Sequence, residues 1–82
     1  MHQDPKRKPN QLNIYRRRMS FSSRQVAALL GHQGTSTLSN YERGERLPGL
    51  VNALRLAIIL RVPIEFLFST LYEALRKEIR AR

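Results

Sequence analysis

The chain has 82 residues, 41% of them apolar, a length and an apolar content that predict one folded domain with a single core. It has no cysteine and only two scattered histidines, which excludes disulfides and cysteine-bound metals, and we expect neither a metal nor a cofactor. Fifteen Lys and Arg against six Asp and Glu give a formal charge of +9, which favours a polyanion such as nucleic acid or an anionic membrane surface as the partner.

The chain begins with a basic segment and a first predicted helix. Residues 1–9 contain two prolines, three basic residues and no periodicity, and they predict a flexible basic arm that is either a solvated tail or lies along phosphates. Asn10 is a suitable cap for a helix that runs to about Met19. Leu12, Tyr15 and Met19 share one face of that helix, which predicts that it packs through them.

A second helix has stronger start and stop signals. Ser22 and Gln25 have the spacing of a capping box, in which each side chain binds the backbone amide of the other residue. Phe21 and Val26 are spaced as a hydrophobic staple, which clamps the chain as it enters the helix. Gly31 supplies the residue that most easily adopts the left-handed conformation at a helix end.

After a short turn over residues 32–34, a third helix is predicted to end at Gly44, with Leu38 and Tyr41 facing the core. The outward side chains of this helix are short and polar. Such side chains let a helix backbone approach base edges, and they both donate and accept hydrogen bonds. Taken alone, the same pattern also describes an ordinary solvated helix surface. The outward residues are Thr35, Ser36, Ser39 and Asn40.

Two further helices complete an all-α fold, a compact five-helix bundle with an extended C-terminal helix. The fourth is predicted over about residues 50–60, and Pro63 separates it from a fifth that runs from Ile64 to Arg80. We expect a basic arm over residues 1–9, a domain over 10–68 and an extension over 69–82. On one side of the fourth helix lie Leu50, Leu54, Ala57 and Ile58, and the fifth carries Ile64, Leu67, Phe68, Leu71, Leu75 and Ile79 at helical spacing.

The combined pattern resembles the helix-turn-helix family of the Cro and phage-repressor type, often called the XRE family. The similar segments are residues 22–31, 36–44 and 46–48, and the resemblance extends over about Leu12 to Phe68. Individually each match is weak, and together they are specific. The matching residues are the small Ala27 at the helix crossing, the turn Gly31, the apolar anchor Leu38 and the run Glu42-Arg43-Gly44.

The resemblance implies a sequence-specific, double-stranded-DNA-binding transcriptional regulator, a repressor that inserts the helix around residues 35–42 into the major groove. The turn over residues 31–34 is one residue longer than is usual in the family, so either Gly34 or Thr35 caps that helix. The implied roles are base contacts by Thr35, Ser36, Ser39 and Asn40, phosphate contacts by Ser23 and Arg43, and a structural ion pair between Arg16 and Glu42.

The predicted fifth helix continues past the end of the resemblance near Phe68. Its further apolar residues need a partner, because the core should already be covered at that point. We expect a homodimer that binds an inverted repeat, and the alternative is that the helix folds back over its own domain. The residues predicted to dimerise are Leu71, Tyr72, Leu75 and Ile79.

Other functions fit parts of the pattern. An antitoxin would need a segment for its toxin partner, and only the stretch after Phe68 is spare. A membrane-surface helix would gather its basic residues opposite aromatic ones, whereas here the arginines are spread over all five predicted helices. Enzyme catalysis would need a nucleophile together with a base and an orienting partner, and the sequence offers no such set. The longest apolar run, residues 56–60, is too short for a bilayer, and a cysteine-free chain suits the cytoplasm.

Overall fold

The computed structural model describes residues 10–82, and the regular structure of that part of the chain is entirely α-helical. The predicted basic arm over residues 1–9 lies outside the described residues. The all-α class is confirmed. The helices are α1 (Leu12–Arg18), α2 (Ser23–Leu29), α3 (Ser36–Glu42), α4 (Leu50–Leu60), α5 (Ile64–Leu67) and α6 (Ser69–Arg80).

The predicted fifth helix is two helices, so residues 10–82 form six helices rather than five. The break falls at Phe68, whose φ of −120° and ψ of 48° lie outside the helical region. The amide of Phe68 donates to the carbonyl of Ile64 at 3.0 Å, and the carbonyl of Phe68 accepts from the amide of Tyr72 at 2.8 Å. The helical conformation is therefore interrupted at a single residue, while the backbone amide and carbonyl of that residue both stay hydrogen-bonded.

The core lies between α1, α2, α3, α4 and α5, and α6 contributes to it only through the partly buried Leu71. All its buried members are apolar, and each of the first five helices or the residue that ends it supplies at least one. This core holds α2 and α3 against each other. Its buried residues are Leu12, Val26, Leu30, Leu38, Tyr41, Leu56, Leu60, Leu67 and Phe68.

Helix α4 packs through a different side from the one that the sequence pattern singles out. Ala53, Leu56 and Leu60 are buried. Leu50 and Ile58, by contrast, are 73% and 75% exposed. The apolar side predicted from the pattern consequently lies largely in solvent.

None of the helices within residues 10–82 is long and apolar enough to cross a membrane.

Candidate nucleic-acid interface

Helix α2 is fixed at both ends by local hydrogen bonds. The hydroxyl of Ser22 accepts from the Gln25 amide at 3.1 Å, and the side-chain oxygen of Gln25 accepts from the Ser22 amide at 2.8 Å. At the other end, Gly31 has a φ of +84°, and the amide of His32 donates to the carbonyl of Ala27 at 2.9 Å. These are the capping box and the glycine stop predicted from the sequence, the second in the form of a Schellman motif.

Helix α3 follows after a turn whose last residue is Thr35. Thr35 stands at the N-cap position with a φ of −98° and a ψ of −1°, and its side chain makes no capping hydrogen bond. Its carbonyl accepts the first helical bond, from the amide of Ser39 at 2.9 Å. The helix therefore starts at Ser36, and Thr35 rather than Gly34 occupies the cap.

Two buried residues anchor α3 to the domain. Leu38 is 1% exposed and Tyr41 is 5% exposed. The carbonyl of Tyr41 accepts from the side-chain amide of Asn10 at 2.7 Å, and its hydroxyl accepts from the side-chain amide of Asn52 at 3.2 Å. The helix is therefore held from the start of α1 on one side and from α4 on the other.

The predicted base-contacting residues share the opposite side of α3 from these anchors. At 100° per residue, the four positions cover an arc of about 140° that does not include Leu38 or Tyr41. Ser36 is exposed, and the other three are half-buried. The structure therefore brings together on one face Thr35, Ser36, Ser39 and Asn40.

At the end of α3 the structure shows a polar cluster that the sequence analysis missed. Arg43 Nη2 donates to Asn40 Oδ1 at 2.7 Å and to Glu45 Oε2 at 3.2 Å. The Arg43 side chain is 53% exposed, so this cluster faces solvent. Residues three apart on a helix are neighbours, and the spacing of Asn40 and Arg43 could have indicated their contact. Arg43 is consequently both an exposed cation and a fixed partner of a predicted base-contacting residue.

Arg16 and Glu42 meet in a nearly buried ion pair. Arg16 Nε lies 2.6 Å from Glu42 Oε2, and Arg16 Nη2 lies 3.3 Å from Glu42 Oε1. The two side chains are 11% and 12% exposed. Arg16 Nη1 also donates to the carbonyl of Phe21 at 3.0 Å, and Asn13 donates to Glu42 Oε1 at 3.2 Å. One guanidinium therefore joins α1, the entry to α2 and the end of α3, and Asn13 is a further member that sequence reasoning missed.

The predicted phosphate contacts are Ser23 on α2 and Arg43 at the end of α3. Ser23 is the first residue of α2 and is half-buried, next to the exposed Arg24. Arg43 follows the last residue of α3. The predicted base-contacting residues lie between these two points along the chain. Backbone amides at a helix start and an arginine beyond a helix end are both suited to bind phosphate oxygens.

The residues predicted to dimerise lie on α6, where no residue is fully buried. Leu71 is partly buried against the core. Tyr72 and Leu75 are each 47% exposed, and Ile79 is 71% exposed. Beyond Leu71 the helix leaves its apolar side uncovered by its own domain.

A family model described as helix-turn-helix matches residues 12–67, which include α1 to α5 and all the predicted base and phosphate contacts. The chain belongs to this helix-turn-helix family, of the Cro and phage-repressor type. It is a DNA-binding regulator, and its expected partner is double-stranded DNA. The match ends before α6 begins. No curated protein matches the chain.

Proposed function

We propose that this helix-turn-helix protein is a sequence-specific repressor that occupies promoter DNA as a homodimer, with α3 in the major groove. One observation carries the proposal. Helix α3 is anchored through buried Leu38 and Tyr41, and its other side presents only short polar side chains. The major groove is about 12 Å wide and admits one helix, and short side chains allow the backbone to come close to the bases.

The base contacts in this proposal come from Thr35, Ser36, Ser39 and Asn40. Asn40 would approach the bases with its oxygen already engaged by Arg43 at 2.7 Å. Its side-chain N–H groups are then the natural contact, and they suit acceptors such as N7 and O6 of guanine. Adenine presents an acceptor and a donor on that edge, and the second lone pair of the Asn40 oxygen can accept from that donor while the first accepts from Arg43. Both purines therefore suit Asn40 as contacts.

Phosphate contacts hold α3 in register. Ser23 supplies a hydroxyl and an amide at the start of α2, and the exposed guanidinium of Arg43 supplies charge beyond α3. Phosphate contacts position a protein on DNA without carrying sequence information. Arg43 differs from a simple phosphate contact because it also holds Asn40, so its loss should affect specificity as well as affinity.

The second copy is proposed to join through α6, by Leu71, Tyr72, Leu75 and Ile79. A two-fold dimer presents two recognition helices about 34–36 Å apart, one turn of DNA, and therefore reads an inverted repeat. The exposure of Tyr72, Leu75 and Ile79 supports this role, since an isolated monomer leaves them in water. An antitoxin would use the same face for a toxin, and no feature of the described residues favours that alternative.

Selection of bound fragments from random DNA tests the proposal. A two-fold repeated consensus is expected. On a selected site, Asn40→Ala should weaken binding by about 1–3 kcal/mol, roughly 5- to 150-fold, with little change on random DNA. Thr70→Ala, an exposed polar change on α6, is the control. Equal losses on selected and random DNA would mean that α3 does not read bases.

Substitutions of Arg43 separate its two roles. Arg43→Ala should weaken binding to both kinds of DNA, because a phosphate contact is lost everywhere, and should weaken selected DNA more. Arg43→Lys keeps the charge but lacks the planar guanidinium that meets Asn40 Oδ1. Compared with Arg43→Ala, Arg43→Lys should therefore recover binding to random DNA, while its binding to the selected site should stay weakened. Full recovery of the selected site by Lys would show that the contact with Asn40 is irrelevant to reading the base.

A further inference from the structure

A groove of about 220 Å³ lies between the loop that joins α3 to α4, α5 and α6. Its walls are almost wholly apolar, with Leu47 from the loop, Ile64 from α5, Phe68 from the break between α5 and α6, and Leu75 from α6. In another protein, an engineered apolar cavity of about 150 Å³ holds a molecule of benzene. This groove therefore has room for one aromatic ring, or a short aliphatic chain, that carries a small polar group.

Glu65 on α5 is the one charged residue among the described residues that line this groove. Its carboxylate makes no ion pair or hydrogen bond within residues 10–82, where every other acidic side chain contacts an arginine at 2.6–3.6 Å. The paired acidic residues are Glu42, Glu45, Glu73 and Glu78. A carboxylate without a partner in the lining of an apolar groove is suited to bind a cationic group of a ligand.

The other polar side chain in the lining is Tyr72 on α6, which is 47% exposed. Its hydroxyl makes no hydrogen bond to any residue of 10–82, and a phenolic oxygen accepts hydrogen bonds. A protonated amine offers N–H donors together with a positive charge, so it suits the oxygens of both Glu65 and Tyr72. An anionic ligand would instead be repelled by the like charge of Glu65. The lining therefore favours a ligand that has an apolar body and a protonated amine.

We propose that this groove binds a small amphipathic cation, an aromatic or short aliphatic group that carries a protonated amine, with the amine at Glu65. Binding itself needs no second copy of the chain. Its effect on DNA rests on the proposed function, because Tyr72 and Leu75 line the groove and also belong to the proposed dimer contact. A bound ligand and a second copy therefore compete for these two residues, and the ligand lowers the affinity for an inverted repeat.

Nuclear magnetic resonance of the full nitrogen-labelled chain tests the site with probes of similar size: phenethylamine, the neutral phenethyl alcohol and the anionic hydrocinnamate. Amides of residues 47–53 and 64–75 should shift, in the millimolar range that suits so small a ligand. The amine should bind about two- to fivefold more tightly than the alcohol, the value of an exposed ion pair, and hydrocinnamate more weakly than the alcohol. The overall charge of +9 attracts anions, so a preference for the amine has to come from the groove.

Glu65→Gln keeps the shape of the side chain without its charge, and it should reduce binding of the amine to that of the alcohol. Glu73→Gln is the matched control, since it changes the net charge equally on α6 but lies outside the groove lining, where Glu73 contacts Arg76 at 3.6 Å. This control should keep the preference for the amine. The site is overturned if the amine binds no better than the alcohol, if Glu65→Gln keeps the preference, or if no groove amide shifts up to about 50 mM amine.

Fluorescence anisotropy with selected DNA at constant ionic strength separates the site from the proposed function. Phenethylamine should weaken binding to a full inverted repeat, leave binding to a single half-site unchanged, and have less effect on Glu65→Gln. If the amine binds the groove but the affinity for the repeat does not change, the competition with a second copy is refuted. If the amine binds as expected but the protein prefers no DNA sequence, the site stands and the repressor proposal fails. If a repeat is selected but the amine does not bind, the repressor stands and the site fails.

Discussion

Removal of the nearly buried Glu42 carboxylate should destabilise this domain strongly. In Glu42→Ala, the guanidinium of Arg16 loses its contacts at 2.6 and 3.3 Å and keeps only the carbonyl of Phe21 at 3.0 Å. The side-chain amide of Asn13 loses its acceptor as well. Because the Arg16 side chain is 11% exposed, water has little access to replace these bonds.

The expected loss of folding stability follows from the charge of Arg16, which is left buried without its partner. Breaking a buried pair by removing one partner costs about 3–5 kcal/mol, whereas an exposed pair contributes about 0–1 kcal/mol. Small domains of this size commonly have total stabilities near the lower end of about 5–15 kcal/mol. A loss of about 3 kcal/mol lowers the melting temperature of such a domain by about 12–24 °C.

Thermal unfolding followed by circular dichroism in the absence of DNA measures this loss. Glu78→Ala is the control, because Glu78 also contacts an arginine, Arg82, at 2.7 Å but is 53% exposed. It should shift the melting temperature by a few degrees or less. The double variant Arg16→Met/Glu42→Leu leaves no stranded charge and should recover much of the stability. A fall for Glu42→Ala no larger than that for Glu78→Ala would refute the reasoning.

Two further predictions concern the ends of α2. Ser22→Ala removes the acceptor of the Gln25 amide and should cost about 0.5–2 kcal/mol, measured by chemical unfolding against Thr70→Ala. Gly31→Ala should cost about 1–2 kcal/mol, because Gly31 has a φ of +84° and no heavy atom lies within 4 Å of the added carbon, so the loss is backbone strain alone. Gly34→Ala also meets no heavy atom within 4 Å, and Gly34 has no positive φ, so that variant should be neutral or slightly stabilising. Equal losses for the two glycine variants would contradict this explanation.

Structural features that depend only on residues close together in the sequence could be predicted. The capping box needs only Ser22 and Gln25 three positions apart, and the stop of α2 needs only a glycine at the end of an apolar pattern. Both are local, because the bonds form within one turn of the backbone. The all-α class follows from the same kind of signal repeated along the chain.

The buried side of α4 could not be predicted in this way. Between residues 50 and 60 only Asn52 and Arg55 are polar, so apolar residues occupy most of the helix circumference. The series Leu50, Leu54 and Ile58 has helical spacing, and so does the buried series Ala53, Leu56 and Leu60. Periodicity selects a side only when the other side is polar. Here the packing of the neighbouring helices decides which series is buried.

The break at Phe68 has a similar origin. Residues 64–80 contain neither glycine nor proline, and no local signal interrupts the helical pattern. Phe68 is 8% exposed and belongs to the core, while α6 beyond Leu71 is exposed. The backbone is therefore non-helical at Phe68, where the chain leaves its own core. The position at which the core ends depends on tertiary packing, so the local sequence could not predict the break.

The backbone at the start of α3 has a consequence for the proposed contacts with DNA. The hydroxyl oxygen of a threonine at the N-cap usually accepts a hydrogen bond from the amide of the second or third helical residue. The Thr35 side chain makes no such bond, since the backbone of Thr35 has a ψ of −1° instead of the extended value that a capping side chain requires. Its hydroxyl therefore makes no capping bond, and it lies at the same end of α3 as Ser36. If α3 enters the major groove as proposed, this hydroxyl is one more polar group for a contact with DNA.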